Sequence, residues 1–151
     1  MPNPVKTYPI TPCLWCNDNA LEKAQFYCSV FTDSRIISQH LVVVVFELNG
    51  TKFQALNGGV DFDYNESISW SISCQNQEEV DYYWEKLIQG GGKEMDCAWL
   101  QDKFGMRWQV VPTRLGELMM DPDKTKASKV MQAMRKMQKI VIKDLEAAYN
   151  S

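Results

Sequence analysis

The sequence predicts an α+β protein made of two copies of one strand–helix–strands unit, followed by C-terminal helices. Three observations carry this reading. Gly50-Thr51-Lys52-Phe53-Gln54 returns 55 residues later as Gly105-Met106-Arg107-Trp108-Gln109: a glycine turn, a cation, an aromatic and an amide. Upstream, Leu14-Trp15-Cys16 before Asn17-Asp18-Asn19 resembles Ile72-Ser73-Cys74 before Gln75-Asn76-Gln77, at an offset of 58 residues. Two echoes in the same order at nearly the same spacing make a duplicated half-chain the economical explanation. After Pro112 the pattern changes to apolar residues at helical spacing.

The elements follow in order. Ile10 to Cys16 is apolar and reads as a strand, ending at the cap-like cluster Asn17-Asp18-Asn19. Ala20, Ala24, Tyr27 and Phe31 then recur at helical spacing, and Thr32-Asp33-Ser34 closes that helix. Arg35–Gln39 and Leu41–Leu48 read as strands rich in Ile and Val, and Asn49-Gly50 is a hairpin turn into a further strand through Leu56. Asn57-Gly58-Gly59 breaks that strand, and Val60 to Glu66 reads as the connector between the halves. In the second half, Ser67 to Cys74 alternates Ile68, Trp70, Ile72 and Cys74 with serines, as a strand with one apolar face does. Gln77 to Ile88 is helical, with Val80, Tyr83, Trp84 and Leu87 on one side and Gly90-Gly91-Gly92 at its end. Cys97–Leu100 and Met106–Val111 form a closing hairpin around Lys103-Phe104-Gly105. Asp121-Pro122 starts a helix carrying Val130, Ala133, Met134 and Met137, and a short helix runs from Lys143 to Tyr149.

One junction does not fit. Gln39-His40-Leu41 should hold a hairpin turn yet contains no Gly, Pro, Asn or Asp. Either the two strands merge, or a loop present in the native chain is absent from the sequence; the second is favoured.

Composition narrows the function. The chain of 151 residues is 45% hydrophobic and 23% charged, which suits one domain of ordinary size, or two small modules sharing a core, with a real interior. A net charge of −3 argues against duplex nucleic acid as a partner, because that affinity comes from neutralising phosphates. No apolar run approaches the roughly 20 residues that cross a bilayer. Met1-Pro2-Asn3-Pro4-Val5-Lys6 lacks the apolar stretch of a secretory leader, and five cysteines is an odd count, so reduced thiols in a cytoplasm are expected.

Chemistry-bearing residues are few. Cys13-Leu14-Trp15-Cys16 has dithiol spacing, but residues three apart on a strand point to opposite faces, so both are read as small buried hydrophobes. His40 is the only histidine, which rules out a histidine cluster within one chain and leaves it as a ligand-lining candidate. Lys124, Lys126, Lys129, Arg135, Lys136, Lys139 and Lys143 read as a solvated helix face, opposite a stripe of Met131, Met134 and Met137 that packs on the domain or on a partner subunit. Among Trp15, Phe53, Trp70, Trp99 and Trp108 most are expected in the core. Those sharing a face with Gln54 and Gln109 would line a groove suited to a small organic ligand.

The phrases Ala55-Leu56-Asn57-Gly58-Gly59, Asn65-Glu66-Ser67-Ile68-Ser69, Glu78 to Leu87, Asp102-Lys103-Phe104-Gly105, Trp108 to Pro112 and Val130-Met131-Gln132-Ala133-Met134 resemble the PhnB-like family. That family also carries the label 3-demethylubiquinone-9 3-methyltransferase domain and lies in the glyoxalase/bleomycin-resistance, or vicinal oxygen chelate, superfamily. The resemblance implies two βαβββ modules, residues 8–58 and 65–112, forming a curved, half-open sheet within a single domain of residues 1–151, with residues 113–151 as a helical extension. It also implies a homodimer, and usually a longer, Gly-containing loop near His40. Metal-using members draw one ligand from the first and last strand of each module, positions that fall near Thr11, Gln54, Ser69 and Gln109 here. Neutral amides and hydroxyls are weak ligands for a divalent transition ion, so a metal centre is expected to be missing or feeble and no cofactor is expected. A methyl donor's nucleoside would need a glycine-rich turn between a strand and a helix, and neither glycine cluster lies there, so the label reads as a family name rather than an activity. The expectation is a cytoplasmic, homodimeric small-molecule-binding protein whose groove is lined by Trp15, Gln54, Trp99, Arg107 and Gln109, with Cys13 and His40 as further ligand-contact candidates. The rivals are an enzyme using a metal through unusual ligands or acid–base work by Cys13, His40 or Cys97, a purely structural module, and methyl transfer.

Overall fold

The computed structural model describes residues 5–151; Met1-Pro2-Asn3-Pro4, part of the segment read for a leader, lie outside the described residues. The chain divides into two compact units, the first ending at Phe62 and the second running from Asp63 to Ser151. The first holds β1 (Cys13–Cys16), α1 (Ala20–Val30), β2 (Ser34–Gln39), β3 (Val43–Leu48) and β4 (Thr51–Asn57). The second repeats that order as β5 (Trp70–Cys74), α2 (Gln77–Ile88), β6 (Lys93–Glu94), β7 (Trp99–Gln101) and β8 (Arg107–Pro112). It then adds α3 (Thr113–Met119), α4 (Lys124–Met134) and α5 (Ile142–Asn150).

Each unit has its own four-stranded mixed sheet, in the orders β1-β4-β3-β2 and β5-β8-β7-β6. The outer pairs β1–β4 and β5–β8 are parallel, and the other pairings are antiparallel. The repeat reaches the register itself. Cys13 pairs with Gln54 in the first sheet, and Ser71 pairs with Gln109 in the second. These pairs stand at the same 58- and 55-residue offsets that the sequence phrases show, so the two units are copies of one βαβββ design.

Alternation decides which face of each strand is buried. In the first unit Leu14 and Cys16, Val44, Phe46 and Leu48, and Phe53 and Ala55 point inward under α1, whose Ala20, Ala24, Tyr27 and Val30 cover them. Tyr27 lies over Phe46 with ring centroids 6.2 Å apart, and Phe46 over Phe53 at 5.5 Å. Each such fully buried aromatic contributes about 1.5–3 kcal/mol. In the second unit Val80, Trp84 and Leu87 of α2 are buried, with Cys74, Leu100, Trp108 and Val110 among the buried strand residues. The extension closes a further cluster of Ala98, Leu115, Leu118, Val130, Ile140 and Leu145, against which Met134, Met137 and Tyr149 pack.

Several expectations change. β1 begins at Cys13 rather than Ile10, which is 97% exposed; Pro12 has no N–H for the ladder, although its carbonyl accepts from Gln54 N–H at 3.0 Å. β5 begins at Trp70 rather than Ser67, because the Asn65 side chain accepts from Ser67 N–H at 2.9 Å and turns the chain there. α1 is capped by Asn57, whose Oδ1 accepts from Ala20 N–H at 2.9 Å, and not by the side chain of Asn19. The strands around His40 do not merge: His40 N–H donates to Val43 O at 2.9 Å, and Leu41 and Val42 form a tight exposed turn without any standard turn residue. β6, too short to show a sequence pattern, and α3 are additional elements, and β7 starts at Trp99 rather than Cys97. α4 starts after Asp123, whose carboxylate caps Thr125 and Lys126, rather than at Asp121-Pro122. It ends at Met134, short of Met137. Cys13 is exposed, not buried, whereas Cys16 is buried as read. The basic residues are partly engaged rather than uniformly solvated: Lys139 pairs with Asp81 at 2.7 Å and Lys126 sits 4.8 Å over the Tyr149 ring.

Candidate functional site

Of the candidate site residues, Cys13, Trp15, Gln54, Trp99, Arg107 and Gln109 lie on the sheet faces turned away from the buried layers, and Thr11, His40 and Cys97 lie outside the strands. In the first unit that face carries Cys13 and Trp15 of β1, Gln54 and Leu56 of β4, and Val43 and Val45 of β3. Cys13 stands opposite Gln54, and Trp15 opposite Leu56. Trp15 does not stand free. Its Nε1–H donates to Val60 O at 2.6 Å, and its ring meets Phe62 at a centroid distance of 5.3 Å. The segment after β4 therefore folds back onto the tryptophan, while Val60 and Phe62 remain 53% and 64% exposed. Gly58 makes this return possible: on a Cβ there, Cζ2, Cη2 and Cε2 of Trp15 would all impinge, none beyond 2.5 Å. His40 lies at the exposed β2–β3 turn, whose Val42 O accepts from Asn57 N–H of the neighbouring β4 at 2.8 Å, and Thr11 precedes β1, half-buried.

In the second unit the outward face carries Ser71 of β5, Arg107 and Gln109 of β8, and Trp99 and Gln101 of β7. Trp99 and Ser71 flank Gln109 from the two neighbouring strands. Gln109 Nε2 donates to Ser69 Oγ at 2.9 Å, which fixes the amide's orientation and leaves its carbonyl oxygen as an acceptor. Arg107, read as a ligand contact, is engaged within the unit. Its Nη2 and Nε reach Glu66 Oε1 at 2.9 and 3.3 Å, and its Nη1 donates to Tyr64 O and Gly105 O. The side chain is only 12% exposed. Its hydrogen bonds hold the Glu66 carboxyl below the usual carboxylate range. Cys97 is half-buried in the turn before β7.

Two acidic residues of this region escaped the sequence reading. Glu66 partners Arg107, and nothing in Asn65-Glu66-Ser67 distinguishes it from a solvated turn. Asp102 is fully buried: its Oδ1 accepts from Phe104 N–H at 2.8 Å and Met106 N–H at 3.1 Å, and its Oδ2 from Trp108 Nε1–H at 2.9 Å. Its place at the head of Asp102-Lys103-Phe104-Gly105 was the available signal, because Asp favours the first position of a turn.

The residues that the resemblance puts at metal-ligand positions are weak donors in each unit. Gln54 and Thr11 of the first unit and Ser69 and Gln109 of the second are neutral, and the last two hydrogen-bond each other. Among the described residues no three His, Cys, Asp or Glu side chains gather where they could hold a metal ion.

Comparison with known proteins bears on the fold and the family. The family model described as 3-demethylubiquinone-9 3-methyltransferase matches residues 8–111. A PhnB protein of Bacillus cereus is 27% identical, covering 70% of this chain and 99% of its own, with a TM-score of 0.62. The protein PA1353 of Pseudomonas aeruginosa is 16% identical over 70% of this chain and 98% of its own, with a TM-score of 0.57. A glyoxalase/bleomycin resistance protein of Albidiferax ferrireducens T118 shares the fold at 13% identity, covering 68% of this chain and 95% of its own, with a TM-score of 0.53. No curated protein matches the chain. With its duplicated βαβββ units and a family match over residues 8–111, the chain belongs to the 3-demethylubiquinone-9 3-methyltransferase family of PhnB-like proteins and has the glyoxalase/bleomycin-resistance fold.

Proposed function

We propose that this chain is a cytoplasmic, homodimeric small-molecule-binding protein that takes an organic ligand against its outward sheet faces without a standard metal centre. The observation that carries the reading is the pairing of an aromatic ring with a glutamine on the outward face of each sheet. Trp99 stands directly opposite Gln109, and Trp15 stands two residues along β1 from the partner of Gln54. An aromatic surface supplies contact area, and a primary amide supplies a donor and an acceptor that orient a ligand's polar edge. The neutral donor set argues against metal-assisted isomerase, dioxygenase or lyase chemistry as the first function. Among the described residues no helix is long and apolar enough to cross a membrane. Exposed Ile36, Ile37, Leu41 and Val42, on edge strand β2 and its turn, are apolar surface that a second copy would cover.

Thermal-shift screening against a metabolite library, with and without divalent metals, tests the proposal. The expected result is stabilisation by an organic compound that needs no metal and is lost in Gln109→Ala or Trp99→Ala. Stabilisation that requires a divalent ion would overturn it in favour of the metal enzyme. The family description favours the rival of methyl transfer, which requires calorimetrically measurable binding of S-adenosylmethionine; its absence removes that rival.

A further inference from the structure

The turn that leads into Trp99 adopts a conformation its own residues disfavour. In Asp96–Trp99, closed by Trp99 N–H to Asp96 O at 3.3 Å, both central residues have positive φ: 60° at Cys97 and 73° at Ala98. A left-handed backbone crowds Cβ against the following carbonyl, which is why Asn-Gly ordinarily supplies such a pair. Cys97 and Ala98 offer neither glycine's freedom nor a side chain that compensates locally.

The conformation is held from outside. Cys97 N–H donates to Met137 O at 2.8 Å and Ala98 N–H to Gln138 O at 3.0 Å. The Ala98 methyl is buried in the cluster of Leu115, Leu118, Val130, Ile140 and Leu145. The accepting segment between α4 and α5 is itself pinned to α2: Gln77 Nε2 donates to Ile140 O at 3.0 Å, Gln77 Oε1 accepts from Ile142 N–H at 2.9 Å, and Lys139 pairs with Asp81 at 2.7 Å. On the far side of the turn, Ala98 O accepts from Val110 N–H at 2.9 Å, and the next residue, Trp99, pairs with Gln109. Met137 and Gln138, which accept from the turn, lie beyond residue 111, where the family match ends.

We propose that the C-terminal extension is a positioning element for the candidate ligand face: the carbonyls of Met137 and Gln138, braced by Gln77, hold the Cys97–Ala98 turn left-handed and thereby set Trp99 beside Gln109. The significance of Trp99 for a ligand rests on the reading above. The latch itself does not, and it is measurable without any ligand.

The test uses the full chain labelled with 5-fluorotryptophan, the Trp99 resonance being assigned through Trp99→Phe. Gln77→Ala removes the brace and leaves the apolar cluster intact. The expected results are hydrogen exchange at the Cys97 and Ala98 amides faster by about tenfold, and a shifted or broadened Trp99 resonance. Adding Cys97→Asn and Ala98→Gly supplies a turn that stands unaided; it restores the Trp99 resonance while exchange at those amides stays fast. Unchanged exchange in Gln77→Ala overturns the brace. Fast exchange with an unmoved Trp99 resonance, or a resonance that the turn substitutions fail to restore, overturns the positioning role. If the latch behaves as stated while no organic compound stabilises the protein, the fault lies with the ligand-binding reading instead.

Discussion

Gly58→Ala should displace Trp15, and the size of the effect can be worked from contacts. The new methyl would overlap three ring atoms, so the indole must rotate or the segment after β4 must lift. Rotation forfeits the Nε1–H bond to Val60 O, worth about 0.5–1.5 kcal/mol, and forces a strained rotamer costing about 0.5–1.5 kcal/mol. The tilted contact with Phe62 adds about 0.5–1 kcal/mol. Together these predict a loss of about 1.5–4 kcal/mol. With a urea dependence of about 2 kcal/mol per molar, the unfolding midpoint falls by about 1–2 M. Gly59→Ala is the control. Gly59 has φ of 75° with nothing within 4 Å of a new Cβ, so it costs only left-handed strain of about 1 kcal/mol and leaves the indole in place. Urea unfolding, combined with the chemical shift of the Trp15 indole N–H, separates the two. An unmoved Trp15 resonance in Gly58→Ala, or equal movement in both variants, refutes the steric argument.

Other consequences follow from buried and paired groups. Asp102→Ala removes the carboxylate that accepts from the backbone N–H groups of Phe104 and Met106 and the Trp108 indole N–H, and should cost about 1–3 kcal/mol. Asp102→Asn should lie between it and the wild type, since the amide nitrogen confronts the Trp108 N–H, donor against donor. In thiol titration of the folded protein, exposed Cys13 should react first. Buried Cys74, whose thiol burial and then the nearby Glu79 push up to about 12, should react only on unfolding; early labelling of Cys74 would contradict its placement. Glu66 is held below the ordinary carboxylate range by its hydrogen bond with Arg107, so its contribution is present above that range and lost as pH falls through the lowered value. Carboxyl NMR should return Glu66 to the ordinary range in Arg107→Gln; an unchanged titration would mean the pair does not form.

The fold was legible because the repeat survives in residues that the backbone itself requires. Asn49-Gly50 and Gly105 mark turns, Gln77–Ile88 carries a strong apolar stripe, and the same phrases return in the same order. Boundaries were less legible where polar side chains captured the backbone. Asn65 turns the chain before β5, Asn57 caps a helix that lies far from it in sequence, and a two-residue strand has no periodicity to read. Of the candidate site, alternation along the strands was enough to put Trp15 and Gln54 on the outward face of the first sheet, and Trp99 and Gln109 on the outward face of the second. Arg107 shares that face, but its partners Glu66 and Tyr64 are distant in sequence, so its prior engagement was invisible. The Cys97–Ala98 turn was equally hidden, because its left-handed conformation is imposed by carbonyls some 40 residues downstream.

The two halves keep one register and differ in what they hang on it. Opposite the parallel partner strand, the first unit sets Cys13 against Gln54 and the second sets Ser71 against Gln109. Backbone pairing demands nothing of these outward side chains, so the copies were free to diverge there while the inward positions stayed apolar. The aromatic beside the amide also comes from different strands: Trp15 from β1 in one unit, Trp99 from β7 in the other. Each ring is then fixed by a different device, a folded-back segment for Trp15 and a latched turn for Trp99. A chelating centre would require the equivalent positions of both copies to retain charged or imidazole donors. A hydrogen-bonding surface requires only that each amide keep its orientation, and the bond from Gln109 to Ser69 supplies that orientation in the second unit. Ser69→Ala should therefore weaken any ligand that Gln109→Ala weakens, without changing the fold. A ligand that is sensitive to Gln109→Ala but indifferent to Ser69→Ala would show that the amide needs no such anchor.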